Sequence, residues 1–206
     1  MKYKNMSPRV RVVMFILILL CIGIATLVGV GYAVYFKRSD AGYARVLGGW
    51  MPAARIGNSF VSYSSFLASR DTMKNYLQSP LAKKQNMDPT LTPDLEKASL
   101  QRLMSEKVIQ ELAKQKKVIV PDADIRGSFA EMIAMSSSTI PNVAEYLKQT
   151  FNWNEDQYRE NIVKPAILEE RVLATMASDT QMQYTLMKAT MSQQMAEPNA
   201  KIFLKF

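Results

Sequence analysis

The chain has 206 residues, 48% of them hydrophobic, and a formal net charge of +8. Lys2, Lys4, Arg9 and Arg11 supply four of those charges, and the remainder carries 22 basic against 18 acidic residues, scattered rather than blocked, which excludes a nucleic-acid footprint. There is no histidine, so the commonest general base and metal ligand are missing, and the one cysteine, Cys21, lies in an apolar run, which leaves the rest without disulfide or thiolate chemistry.

Residues 12–36 hold 25 positions without a charged side chain. As a helix they would reach roughly 37 Å, enough to cross a hydrocarbon core of about 30 Å with some tilt. No acid precedes Asp40, whereas basic residues crowd the N-terminal flank. The positive-inside rule therefore predicts residues 1–11 in the cytoplasm, a transmembrane anchor over 12–36, and everything after about residue 40 outside. Gly31-Tyr32-Ala33 also fits a signal-peptide cleavage site, but the apolar run before it is about twice the usual length of such a leader. A lipoprotein reading of Cys21 fails on Leu20, where a small residue is wanted. Ala25, Gly29 and Ala33 recur at four-residue spacing and form a candidate face for self-association of the helix.

Residues 37–52 read as a juxtamembrane connector in which Trp50 has two options, the headgroup layer or the surface of the following domain. Gly57-Asn58 between short apolar arms predicts a hairpin over 53–61. Ser62 caps a helix whose apolar positions are Tyr63, Phe66, Leu67, Met73, Tyr76 and Leu77, stopped by Ser79-Pro80 ahead of a polar loop over 80–91. Thr92-Pro93-Asp94 starts a helix that runs to about Lys116. Its stripe is Leu100, Leu103, Met104, Val108, Leu112 and Ala113, widened by Ile109. Val118, Ile119 and Val120 make an extended connection, and Pro121-Asp122 opens a helix carrying Ile125, Phe129 and Ile133 on one face.

Ser136-Ser137-Ser138 reads as a break before a short helix over 143–150. Asn154 and Gln157 make a capping-box pair for a longer helix bearing Tyr158, Ile162, Ile167, Val172 and Leu173, which Pro165 should kink. Ser178 with Gln181 repeats the capping signal for a last helix through about Ala196, and residues 198–206 alternate as a strand. That strand has two candidate roles, pairing with the hairpin or opening a further module.

The hairpin ending Ile56-Gly57-Asn58, the helix start Ser62-Tyr63-Ser64-Ser65-Phe66-Leu67, the segment LQRLMSEKVIQELAKQK over 100–116 and the run from Phe151-Asn152-Trp153 to Lys164-Pro165 occur in a telling order. Together they resemble the N-terminal chaperone domain of the SurA, PrsA and PpiD type of secreted foldases, over residues 53–177. The resemblance implies a mainly α fold: a helical chaperone domain over 53–197 with a small hairpin and strand, hung from the transmembrane helix. It also implies unfolded or extended polypeptide clients; the apolar span adds the bilayer as a second partner, the scattered charge gives no nucleic acid, and no cofactor is expected. Full-length relatives usually continue into a parvulin-type prolyl isomerase module that uses histidines. With no histidine and an end at Phe206, prolyl isomerisation is not expected and the chain is read as a non-enzyme.

The candidate client-binding residues are two clusters. Tyr184, Met187, Met191 and Met195 form a helical stripe, and methionine moulds to varied apolar partners. The competing reading of that stripe is ordinary core packing. Tyr146, Phe151 and Trp153, with Tyr158, form an aromatic group with the same two readings. The expected function is a membrane-anchored extracytoplasmic holdase. A truncated prolyl isomerase and a non-enzymatic membrane adaptor are the alternatives.

Overall fold

α1 (Pro8–Tyr35) is a single uninterrupted helix, as its apolar run demands. The computed structural model describes residues 8–136, 140 and 142–206 and is mainly helical, with one three-stranded antiparallel sheet. Phe15–Tyr35 is long and apolar enough to cross a membrane. Its side chains are exposed as far as Gly29, and then Val30, Ala33 and Val34 are buried, Val30 and Val34 in the same core cluster as Phe66 and Leu204. The end of α1 is therefore docked on the domain that follows.

The expected connector is itself folded. Arg38 pairs with Glu96, and Arg70 reaches both Asp40 at 3.2 Å and Glu96 at 3.8 Å. α2 (Gly42–Leu47) then turns the chain, with Ala44 wholly buried. Gly48 closes the approach to the next helix: a Cβ there would lie 2.2 Å from the Ala44 carbonyl oxygen and 3.0 Å from the Tyr63 ring.

β1 (Pro52–Ile56) and β2 (Ser59–Ser62) form the hairpin, with Ile56 opposite Ser59 and Gly57 at φ +53° in the turn. A left-handed φ is where glycine escapes the Cβ clash, so the turn signal and the geometry agree. β3 (Ala200–Ile202) pairs antiparallel with the other edge of β1, with Ala54 opposite Ile202. The C-terminal strand thus completes the sheet, in the order β2-β1-β3.

α3 (Tyr63–Gln78) begins where Ser62 Oγ accepts from Ser65 N–H at 3.1 Å, and it buries Tyr63, Phe66, Leu67 and Leu77. Ser79 does more than stop it. Its hydroxyl accepts from Ala82 N–H at 3.2 Å and caps α4 (Pro80–Lys84), so the first part of the expected loop is a short helix. Serine followed by proline is a start signal as well as a stop signal.

α5 (Pro93–Lys116) is capped by Thr92 and ended by Lys117 in the left-handed region. It connects two cores. Leu100, Met104 and Val108 join the cluster under the sheet and α3, while Ile109 and Ala113 join Val172, Leu173 and Met187. A third cluster holds Ile125 and Phe129 of α6 (Asp122–Ser136) with Val163. The break expected at Ser137 and Ser138 lies outside the described residues. α7 (Val143–Phe151), α8 (Glu155–Tyr158), α9 (Lys164–Ala174) and α10 (Thr180–Met195) complete the chain.

One further local expectation is corrected, and the expected disturbance at Pro165 is given its geometry. The cap of α10 is Asp179, which accepts from Met182 N–H at 2.8 Å, and not Ser178. Around Pro165 the helix carries a π segment, Arg159–Val163, between α8 and α9. Proline lacks the N–H for an ordinary turn and clashes with the carbonyl four residues back, which a wider turn relieves.

Candidate functional site

The π segment turns the chain so that Ile162, expected on the buried stripe, is 37% exposed, and Val163 takes its place in the core. Ile162 and Pro165 then line a cleft of about 720 Å³ between α5, α9 and α10. Its apolar wall is Ile109, Leu168, Met187 and Met191, and Arg102, Glu106 and Lys164 stand among its polar groups.

A second cleft, of about 370 Å³, opens between α3, α5 and the π segment, with Val61, Leu103 and Trp153 among its lining. The two clefts share Arg102, Glu106, Gln110, Glu160, Asn161 and Pro165. The two clefts adjoin along these residues and together are the groove, with Trp153 in the lining of the second cleft and Met187 and Met191 in that of the first. Two pairs of charged groups along it are tied locally: Arg102 to Glu106 at 2.6 Å and Lys164 to Glu160 at 2.8 Å. Burial holds the Glu106 carboxyl above its ordinary value, against the pull of Arg102. Gln110 accepts from Lys107 at 2.9 Å, and Asn161 donates to the Gln157 carbonyl at 2.7 Å. Side-chain amides with spare donor and acceptor capacity, beside an apolar wall, suit an extended peptide backbone with apolar side chains.

The family described as SurA-like N-terminal domain matches residues 3–162. The chain belongs to that family. No curated protein and no solved structure matches it. The SurA-like match takes in α1, the sheet hairpin and the helices through most of the π segment. The α9 and α10 wall of the groove lies beyond it. Among the described residues, no group of three or more His, Cys, Asp or Glu is placed to hold a metal ion.

The candidate client-binding residues divide by burial. Met187 is 6% exposed, packed with Ile109, Val172 and Leu173, and presents only an edge to the groove. Met191 is half-buried and bridges two cores. Met195 is half-buried, and its sulfur accepts from Ser105 Oγ at 3.5 Å. Tyr184 is 61% exposed and lines neither cleft.

The aromatic group is a helix junction. Phe151 stacks on Tyr76 with centroids 6.0 Å apart, and Trp153 lies 5.4 Å from Phe151. Tyr158 closes on both, at 6.5 Å each, and burial raises its phenol pKa. Of the three candidates Trp153 lines the second cleft, Phe151 lines neither and packs on Trp153, and Tyr146 lines a separate cleft of about 660 Å³ beside α4. Trp153 thus lines one cleft, and Met187 and Met191 line the adjoining one. Ile162, Leu168, Arg102 and Glu106 were not anticipated, and Pro165 was the one sequence signal pointing at their location.

Proposed function

We propose that this chain is a membrane-anchored, extracytoplasmic chaperone of holdase type that binds unfolded secreted or envelope protein segments in the Trp153–Met191 groove. The observation that carries the reading is the groove itself: an apolar wall with amide side chains, in a SurA-like domain attached to an exposed apolar helix. α1 is the anchor, with its basic N-terminus in the cytoplasm and the groove outside. The activity is binding and includes no chemical step. About 400 Å² of apolar client contact would supply on the order of 10 kcal/mol before ordering costs, which take most of it. What remains is weak and reversible, as a holdase requires.

The test is light scattering from two unrelated aggregation-prone clients in the presence of the full chain in phospholipid nanodiscs. Ile162→Glu and Ala166→Glu together place charge on exposed groove positions without emptying the core. Wild type should suppress aggregation of both clients, and the double variant should lose that suppression at an unchanged Tm. Undiminished suppression by the variant, or none by wild type, contradicts the reading.

A further inference from the structure

A hydrocarbon core of about 30 Å takes about 20 helical residues. Counted from the residue after Arg11, twenty residues end at Gly31. Gly31 is also where the domain meets α1 from the side, because a Cβ built there would lie 3.9 Å from Met51 Cε. From Val30 onward, part of the helix surface is covered by the chain's own core. The outer edge of the hydrocarbon and the membrane-side edge of the domain therefore fall at the same height along α1.

Next to the Met51 contact in the chain, and on α2, the domain displays apolar side chains without cover. Trp50, next to Met51, is 89% exposed, and Val46 on α2 is 76% exposed, with Leu47 partly open. Two lysines stand over aromatic rings at the end of the apolar run: Lys37 lies 5.8 Å from the Tyr32 centroid, and Lys205 lies 4.9 Å from that of Phe36. Exposed indole with lysines at the end of an apolar helix matches the chemistry of the headgroup layer, where the ring is half-solvated and ammonium groups meet phosphate. The patch is also held in place. Ala44 is wholly buried, and Ser64 N–H donates to the Gly48 carbonyl at 3.2 Å.

We propose that Trp50 and Val46 rest in the phospholipid headgroup layer, so that the domain lies on the outer bilayer face instead of swinging on a tether. The groove is then held at one height and orientation beside the membrane. This inference rests on α1 being an anchor.

The experiment uses the full chain in vesicles of phosphatidylcholine and phosphatidylglycerol. The chain has two tryptophans, Trp50 and Trp153, so the difference between wild-type and Trp50→Phe emission isolates Trp50 without disturbing the aromatic junction. Flotation first establishes membrane attachment. The vesicles then carry bromine near the head or near the end of the acyl chains. Trp50 emission should be blue-shifted and lose most of its intensity with bromine near the headgroup, less with deep bromine, while Trp153 is unaffected. Chains that float but leave Trp50 red-shifted and unquenched overturn the inference alone. A blue-shifted, unquenched Trp50 also overturns it, in favour of cover by a second copy. Chains that do not float overturn the anchor, and the inference with it.

Discussion

The phenol of Tyr63 donates to the carbonyl oxygen of Ser39 over 2.9 Å, joining the first residue of α3 to the chain just after α1. Tyr63 is wholly buried beside Phe66, with centroids 5.9 Å apart. The bond satisfies the buried phenol, whose ring packs in the apolar core while its hydroxyl faces the Arg38, Asp40, Arg70 and Glu96 charges. Together with the Arg38–Glu96 pair it makes the exit from α1 part of the fold.

Burial pushes the Tyr63 pKa up from 10.0 to about 12. The unfolded chain releases this proton first, so the contribution to stability is complete below about pH 10 and is lost as pH rises towards 12. Tyr63→Phe should remove that alkaline loss while costing about 1 kcal/mol at neutral pH through the orphaned Ser39 carbonyl. Denaturant unfolding of both proteins from neutral to alkaline pH checks the difference in slope.

Gly48→Ala should destabilise the contact between α2 and α3. The new methyl would meet backbone at 2.2 Å, which cannot swing aside as a side chain tip could. A loss of about 1–3 kcal/mol, read as a lower Tm, is expected for such overpacking. Gly42→Ala, where nothing lies within 4 Å, is the control and should leave Tm unchanged.

The methionine stripe should separate by burial. Met187→Ala is expected to cost about 2 kcal/mol or more, as removal of a buried side chain from a packed cluster does. Tyr184→Ser, on the exposed side of the same helix, should stay within about 0.5 kcal/mol of wild type. Thermal melts of the two variants decide the matter.

Glu106 is held above its ordinary pKa by burial in the groove wall. A carboxyl raised on folding favours the native state at pH below its unfolded pKa, and that advantage is lost as pH rises through the folded value. Glu106→Gln should therefore raise Tm at neutral pH relative to wild type, with the gap closing in acid. Melts at neutral and acidic pH provide the readout.

Features set by neighbouring residues were legible in the amino-acid order. Ser62, Thr92 and Asn154 cap their helices through bonds to residues three positions on, and Gly57 supplies the hairpin turn. Features that depend on backbone pairing or on distant partners were not. Ser178 and Asp179 are both capping types, and only the local backbone selects Asp179. Side-chain periodicity cannot register a π turn, so Ile162 and Val163 exchange places, and with Ile162 goes part of the groove. Docking of Val34 needs Ala44 and Phe66 from elsewhere in the chain, and an apolar run carries no sign of it. Trp50 had two options in sequence, and its exposure shows that it does not pack on the domain.

Site-specific photo-crosslinking tests the central claim, that unfolded segments occupy the groove, most directly. A photoreactive residue at Ala166, exposed on the groove wall, is compared with one at Ala130, exposed on α6 and lining neither cleft. With the full chain in bilayer and an unfolded client added, Ala166 should form adducts that a native, folded form of the client does not, and Ala130 should form few. Equal labelling from both positions, or none from Ala166 under conditions where aggregation is suppressed, would contradict the account.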